Sequence, residues 1–110
     1  MDAFEDLKVI SRTARKEIVA MIGTLGIGHI GGSLSIVEAL VYLYYRELRI
    51  RPNDPAWSDR DRFVLSKGHA GPSLYTILAM KGYFDKTILA TLNQPDTNLP
   101  SHCDMNRTIG

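Results

Sequence analysis

The chain has little that would place it in a membrane or an oxidising compartment. Its one cysteine among 110 residues, Cys103, excludes an internal disulfide and fits a reducing compartment. No run reaches the ~18–20 apolar residues that a membrane-spanning helix needs. The acidic start M-D-A-F-E-D lacks the form of a signal peptide. We therefore expect a cytoplasmic protein that does not act at a membrane.

The chain also lacks an excess of one charge. Lysine and arginine number 13 against 12 aspartates and glutamates, which gives a net charge of +1 with no basic block or stripe. Nucleic-acid binding needs such a basic surface, so we expect no nucleic-acid partner. What is present is ordinary globular composition, with 45% apolar residues, enough for one small domain or part of a larger one.

Apolar spacing predicts helices over much of the chain. A stripe at intervals of three and four predicts a first helix, ended by the glycines at 23, 26 and 28: Leu7, Ile10, Ala14, Ile18, Ile22 and Leu25. Ser35 and Glu38 have capping-box spacing and predict the start of a second helix, apolar almost all round and therefore buried. Asp85 can cap a short helix over residues 88–92. Residues 93–110 are rich in turn formers and show no core pattern.

One segment predicts a strand. The run F-V-L-S at 63–66 fits a buried strand, and Lys67-Gly68-His69 follows at its carboxyl end. A helix then opens with Gly71-Pro72. Strand, glycine turn and helix in this order predict an α/β fold, in which ligands bind at the carboxyl ends of strands. With one strand visible, the predicted parallel sheet flanked by helices is incomplete in this chain.

Three histidines are the candidate chemical groups, and each lies in a predicted loop: His29, His69 and His102. A zinc site would usually include a close ligand pair, which the wide spacing of the histidines lacks. Cys103 could be a nucleophile with a distant histidine, although no local signature supports that. The glycines around His29 lack the G-K-[ST] end of a phosphate-binding P-loop, but they permit close backbone approach to a ligand. Arg62 of the D-R-D-R run could reach a phosphate, although a paired surface charge is the simpler interpretation.

Four motifs in order resemble the N-terminal part of transketolases. They are G-H-I-G-G-S-L-S, P-x-x-P-x-W-x-D-R-D-R-F-V-L-S-K-G-H, A-M-K-G-Y-F and L-P-S-H-C-D, which together cover the chain from about Gly28 to Gly110. The motifs are most similar to the bacterial and archaeal type that is split into two chains. The resemblance implies that residues 1–110 are the N-terminal part of the thiamine-diphosphate-binding domain that holds the cofactor's diphosphate.

The resemblance also implies an activity and roles for individual residues. Transketolases use thiamine diphosphate to move a two-carbon ketol unit from a ketose phosphate to an aldose phosphate. His29 matches the histidine that faces substrate and assists proton transfer. His102 matches the histidine that hydrogen-bonds the hydroxyl end of the donor. His69, with Gly68, matches the cofactor-binding segment near the diphosphate.

The resemblance has two departures. The third loop reads Ser101-His102-Cys103 where the family usually has G-H-P. The family's G-D-G…N motif, which supplies the ligands of Mg²⁺, would lie beyond residue 110. We therefore expect the 110 residues alone to be inactive and to need a C-terminal transketolase subunit or domain in a homo- or hetero-oligomer. A dihydroxyacetone synthase, a 1-deoxyxylulose-5-phosphate synthase and a non-catalytic assembly fragment remain alternatives.

Overall fold

The computed structural model describes residues 5–25, 30–65 and 70–92, together with the single residues 97, 99 and 108. Helices α1 (Glu5–Leu25), α2 (Ile30–Ser35), α3 (Val37–Tyr42) and α4 (Gly71–Met80) are joined by a π-helical turn, Leu43–Glu47, and a 3₁₀ helix, Lys86–Thr91. Within those ranges every regular element is helical, so the predicted sheet is not observed there. None of these helices combines the length and apolar character needed to cross a bilayer.

Helix α1 forms as its apolar spacing predicts. Its buried face contains one serine and five apolar residues: Leu7, Ser11, Ala14, Ile18, Met21 and Ile22. Glu5 and Asp6 lie in the first turn, where negative charge interacts favourably with the helix dipole and stabilises the helix. Helix α1 packs against α2, α3 and α4.

The second predicted helix is present as α3 and the π-helical turn, and a further short helix precedes it. Residues 30–35 form α2, where the glycines predict a loop, and Ile36 makes a turn before α3 begins. The predicted cap at Ser35 is wrong, because Ile36 occupies the N-cap position of α3 and no side chain caps that helix. The predicted burial holds for one face only, since Val37, Leu40 and Val41 are buried while Glu38 is exposed.

The F-V-L segment at residues 63–65 lies in none of the regular elements of the described structure. Its side chains alternate: Phe63 and Leu65 pack against the main core, whereas Val64 is 84% exposed. The Phe63 ring meets the buried Tyr44 edge-on, with centroids 5.9 Å apart. The prediction of a buried strand is therefore wrong for Val64, whose side chain lies outside the helical core.

Helix α4 lies between two apolar clusters. Residues 71–79 are all buried, and Pro72 occupies the first turn, as predicted. One side packs with α1 and α3 through Leu74, Ile77 and Leu78. The other side packs through Tyr75 and Ala79 against the 3₁₀ helix and the buried residue Leu99. The helix that follows the Gly68-His69 segment is therefore held from both sides.

Glycine is required where α4 ends. Gly82 has φ +91° and follows the C-cap residue Lys81. Its N–H donates to Ala79 O at 3.0 Å, and the Tyr83 N–H donates to Leu78 O at 3.0 Å. These two bonds form a Schellman motif, which favours glycine at the left-handed position.

Alanine at Gly82 is expected to lower the free energy of unfolding by about 1–2 kcal/mol, because the left-handed conformation is unfavourable for a residue with a Cβ. A Cβ there would meet no atom within 4 Å, so the cost arises from the backbone alone. Gly23→Ala in α1 is the matched control, since its Cβ is equally unobstructed. It should raise the free energy of unfolding by about 0.5–1 kcal/mol. Urea titration of both variants checks the opposite signs; equal shifts would contradict the prediction.

Asp85 caps the 3₁₀ helix as predicted. Its Oδ1 accepts the Thr87 N–H at 2.9 Å, with the residue in an extended conformation at the N-cap position. The buried Leu89 and Leu92 then face α4 and α1 in the second cluster. The cap therefore stabilises the 3₁₀ helix, which shares the second cluster with the buried Leu99.

Candidate functional site

The four predicted site residues, Gly68, His69, His29 and His102, lie outside the described residues. The structure does describe the residues directly after two of the histidines. Helix α2 begins at Ile30, next to His29, and Ala70 is the N-cap of α4, next to His69. Each of the two Gly-His segments therefore leads into a helix.

Helices α2 and α4 contact each other, and both contact α1. The residues after the two Gly-His segments thus belong to one packed group of three helices, although they are separated by about 40 positions in sequence. The sequence alone does not reveal this packing, since the G-H-I-G-G-S stretch predicts a loop. Because of this packing, the starts of α2 and α4 are the best-defined part of the candidate site.

Two buried hydroxyls lie in α2 and α4. Ser33 Oγ in α2 and Ser73 Oγ in α4 are the buried side-chain atoms without a hydrogen-bond partner in the part of the chain that is described. Both residues are 0% exposed. A buried hydroxyl without a partner costs about 1–3 kcal/mol, which is unusual enough to need a reason.

Helix α4 starts without a side-chain cap, since Ala70 offers no oxygen. The first-turn N–H groups of a helix carry partial positive charge and attract anions such as phosphate. The uncapped start of α4 fits a phosphate-bearing ligand.

The third predicted segment is anchored shortly before His102. Thr97 Oγ1 lies 2.8 Å from Thr91 Oγ1 and accepts the Leu99 N–H at 2.9 Å. Leu99 is buried in the same cluster as Tyr75 of α4. Residues 93–110 show no core pattern in the sequence, yet Leu99 is buried and packs in the cluster that includes α4.

The D-R-D-R run is a paired surface, which confirms the simpler interpretation. Asp61 Oδ2 accepts the Arg49 N–H at 2.6 Å, and the Asp61 N–H donates to Arg49 O at 2.8 Å. Arg62 donates to the carbonyls of Arg60 and Ser58 at 3.2 and 3.4 Å. Its guanidinium is therefore engaged in closing the connector that leads to the F-V-L segment.

Carboxyl groups make the free energy of unfolding depend on pH in the acidic range. Three have a pKa below the ordinary 3.8 because each accepts hydrogen bonds: Asp6 from the Arg46 side chain, Asp61 from the Arg49 main chain and Asp85 from the Thr87 main chain. The unfolded chain then binds more protons than the folded chain at acidic pH. Their stabilisation is complete above about pH 4 and is lost as pH falls through the lowered folded values.

Asp61→Asn is expected to reduce this loss of stability between pH 4 and pH 2, because it removes one of the three titrating groups. Arg49→Ala is the control: it keeps the main-chain N–H that is the largest cause of the lowered pKa of Asp61. Urea midpoints at pH 7, 4 and 2.5 report the effect. A pH dependence unchanged in Asp61→Asn, or abolished in Arg49→Ala, would contradict the assignment.

Among the described residues, no three histidine, cysteine, aspartate or glutamate side chains lie close enough together to hold a metal ion. The predicted metal ligands are in any case expected beyond residue 110.

Comparison with known proteins adds the family. Residues 8–110 match the family model described as "Transketolase, thiamine diphosphate binding domain". The match includes all three predicted histidine segments and all of the described helices except the first three residues of α1.

Three relatives illustrate the range of similarity. A 6-deoxy-6-sulfo-D-fructose transketolase subunit of Clostridium sp. (strain MSTE9) is 57% identical over 105 residues, which cover 96% of this chain and 38% of the relative. An apulose-4-phosphate transketolase subunit of Phocaeicola vulgatus is 38% identical over 98 residues, or 89% of this chain and 35% of the relative. Transketolase 1 of Escherichia coli is 31% identical over 107 residues, or 89% of this chain and 16% of the relative. The chain thus spans under two fifths of the length of these relatives.

Proposed function

Because the chain belongs to the transketolase thiamine diphosphate binding domain family and is an N-terminal transketolase part, we propose that its protein is a thiamine-diphosphate-dependent transketolase. The proposed reaction transfers a two-carbon ketol unit from a ketose phosphate to an aldose phosphate. The observation that carries the proposal is the family match over residues 8–110, which includes the three histidine segments in order. Residues 1–110 are then the N-terminal part of the cofactor-binding domain.

The described residues fit the cofactor at the start of α4. The uncapped first turn favours a bound diphosphate in front of this helix. Gly68 and His69, directly before Ala70, are the proposed cofactor-binding residues. An imidazole can donate to a phosphate oxygen without a permanent charge, and glycine permits close backbone approach.

His29 and His102 are the proposed catalytic residues. Bound thiamine diphosphate supplies the electron sink for cleavage of the bond next to the ketose carbonyl. The protein's part is to position the sugar and to move protons. We propose that His29 accepts protons from substrate hydroxyls and returns them, because imidazole titrates near neutral pH. His102 is assigned to the hydroxyl end of the donor, which it orients by hydrogen bonding.

The donor is proposed from the relatives. The 57% identical relative is named for 6-deoxy-6-sulfo-D-fructose and the 38% identical one for apulose 4-phosphate. Both names describe a ketose with an anionic group at the end away from the ketol unit. A sulfonated ketose is therefore a second donor candidate beside a ketose phosphate.

We further propose that the protein acts in the cytoplasm and in an oligomer with a C-terminal transketolase subunit or domain. Two of the relatives are named as subunits, which supports a divided enzyme. Mg²⁺ is proposed as the bridging ion, with ligands outside residues 1–110. A dihydroxyacetone synthase or a 1-deoxyxylulose-5-phosphate synthase would use the same cofactor, and their acceptor or donor would separate them in the assay below.

A chimera tests the proposal directly. This chain replaces the matching 105 residues of the Clostridium subunit, which is then combined with the rest of its enzyme. Ketol transfer should require added thiamine diphosphate and Mg²⁺ and should be lost after treatment with a chelator. A folded chimera that binds no cofactor and transfers nothing, while the parent enzyme is active, would contradict the proposal and favour a non-catalytic fragment. Thermal stabilisation of the 110 residues alone by the cofactor would contradict the expected need for ligands beyond residue 110.

A further inference from the structure

Helices α1 and α3 enclose an open groove of about 390 Å³, lined by residues within 7–15 of α1 and 38–42 of α3. We call it the α1–α3 groove. Its volume lies within the range of small-molecule sites. None of its lining residues belongs to α2 or α4, so the groove is not part of the candidate cofactor site.

The spacing of polar residues in α1 places four of them along this groove. Lys8, Ser11, Arg12 and Arg15 follow one another at intervals of three, one and three residues, so they share one face of the helix. At 1.5 Å per residue, the first and last of them are about 10 Å apart along the helix axis. This length suits a small molecule better than a partner helix or a protein surface.

The groove has one uncompensated positive charge. Lys8 Nζ lies 3.7 Å from Glu5 Oε2 in the same helix. Arg15 pairs with Glu38 of α3, which joins the two walls of the groove. Arg12 forms neither an ion pair nor a side-chain hydrogen bond within the part of the chain that the structure describes. Its guanidinium therefore has all of its donors available for an anion.

Ser11 adds a hydroxyl that the fold does not use. The residue is only 6% exposed, and its hydroxyl makes no hydrogen bond to any described residue. Thr13 in the same helix shows the bond that is locally available, since its Oγ1 lies 3.1 Å from Val9 O. Ser11 lines the groove and retains some exposure, whereas Ser33 and Ser73 have none. A polar ligand in the groove would give this serine a partner.

The rest of the groove is apolar. Leu7 and Val41 form its floor and are 7% and 1% exposed. Tyr42 lies at its edge and is 44% exposed, which is high for so large a ring. An apolar floor beside a free guanidinium matches a ligand with an apolar body and an anionic group.

We propose that the α1–α3 groove binds a small monocarboxylate with an aromatic or other apolar body. The carboxylate binds Arg12, which can donate two parallel hydrogen bonds, and accepts a third from Ser11. The body covers the apolar floor beside Tyr42. A monoanion matches the single free cation, whereas a phosphate dianion would leave excess negative charge close to Glu38. The inference does not rest on the proposed function, because the site needs no cofactor.

Isothermal titration calorimetry with 2-naphthoate tests the site in the assembled chimera described above, with excess thiamine diphosphate present. Arg12→Ala should weaken naphthoate binding about ten- to hundredfold, the usual effect of losing hydrogen bonds to a charged group. Ser11→Ala should weaken it about three- to tenfold. Arg12→Lys should recover part of the affinity, because it keeps the charge but not the paired geometry.

Two further probes test the ligand class. Naphthalene-2-methanol has the same ring system without the charge and should bind at least about tenfold more weakly than 2-naphthoate. The dianion 2-naphthyl phosphate should bind no more tightly than 2-naphthoate. Tighter binding of the phosphate would overturn the assignment to a monocarboxylate.

Lys16→Ala is the matched control, since Lys16 is an exposed cation of α1 that does not line the groove. It should leave the affinity for naphthoate within about twofold of the unsubstituted value. Urea titration should show that every variant is folded. The inference is overturned if the chimera does not bind naphthoate, or if Arg12→Ala binds it as tightly as the unsubstituted protein. Either result leaves the proposed function intact, because ketol transfer is measured separately.

Discussion

His29→Ala is expected to lower kcat for ketol transfer by about 10²–10⁴-fold, the usual contribution of a positioned acid–base group. The expectation follows from the assignment of the substrate's proton to His29. Steady-state kinetics of the assembled enzyme at saturating thiamine diphosphate measure the effect. Since the imidazole acts on substrate and not on the cofactor's diphosphate, cofactor affinity should remain within about threefold of the unsubstituted value.

His69→Ala is the comparison variant that distinguishes loss of proton transfer from loss of cofactor binding. It should weaken thiamine diphosphate binding and recover much of its activity at high cofactor concentration, whereas His29→Ala should not recover. Normal turnover in His29→Ala would contradict the catalytic assignment. If excess cofactor restored the activity of both variants equally, both histidines would be assigned to cofactor binding and neither to proton transfer.

Ile18→Ala should lower the free energy of unfolding by about 2–5 kcal/mol, the range for removing a large apolar side chain from a core. Ile18 is 0% exposed and lies in the cluster that joins α1 to α3 and α4. That cluster is built mainly from packed helices and offers few loops that could collapse into the space. A denaturant titration monitored by far-ultraviolet circular dichroism gives the difference.

Val19→Ala provides the control, because the next residue of the same helix has a similar volume and is 46% exposed. It should change the free energy of unfolding by less than about 0.5 kcal/mol. Equal destabilisation by both variants would show that α1 packs with a different face from the one described.

The helices were predictable where local signals and packing agree. The stripe of α1 has the spacing of a helix and one buried face, so periodicity alone identifies both. Pro72 near the start of α4 and Asp85 before the 3₁₀ helix act within their own turn, and local chemistry of this kind can be interpreted without the rest of the fold.

The strand and the capping box show where such signals fail. Val64 is β-branched and apolar, which favours a strand, yet burial of both faces depends on neighbouring elements that no local pattern specifies. Ser35 has the correct spacing to Glu38, but the chain is already helical from Ile30, so Ser35 ends one helix instead of capping the next. Tertiary packing of α2 on α1 and α4 outweighs the low helix propensity of its glycines.

The candidate site was predictable only as residue types and order. The histidine segments could be identified from sequence, since motif and family resemblance need no coordinates. The complete burial of Ser33 and Ser73 depends on how their helices pack with elements that are distant in sequence, and no local pattern specifies that packing.

The position of α1 has a consequence for synthesis. Its apolar face is made first, whereas its largest partner, α4, is complete only at residue 80, and Glu17 pairs with Lys86 at 3.7 Å later still. At the usual rates of translation, the interval between the end of α1 and the end of α4 is roughly 3–11 s. During that time the stripe lacks α4, although α2 and α3 are already present to cover part of it. The nascent chain should therefore be a client of ribosome-associated chaperones until α4 has emerged.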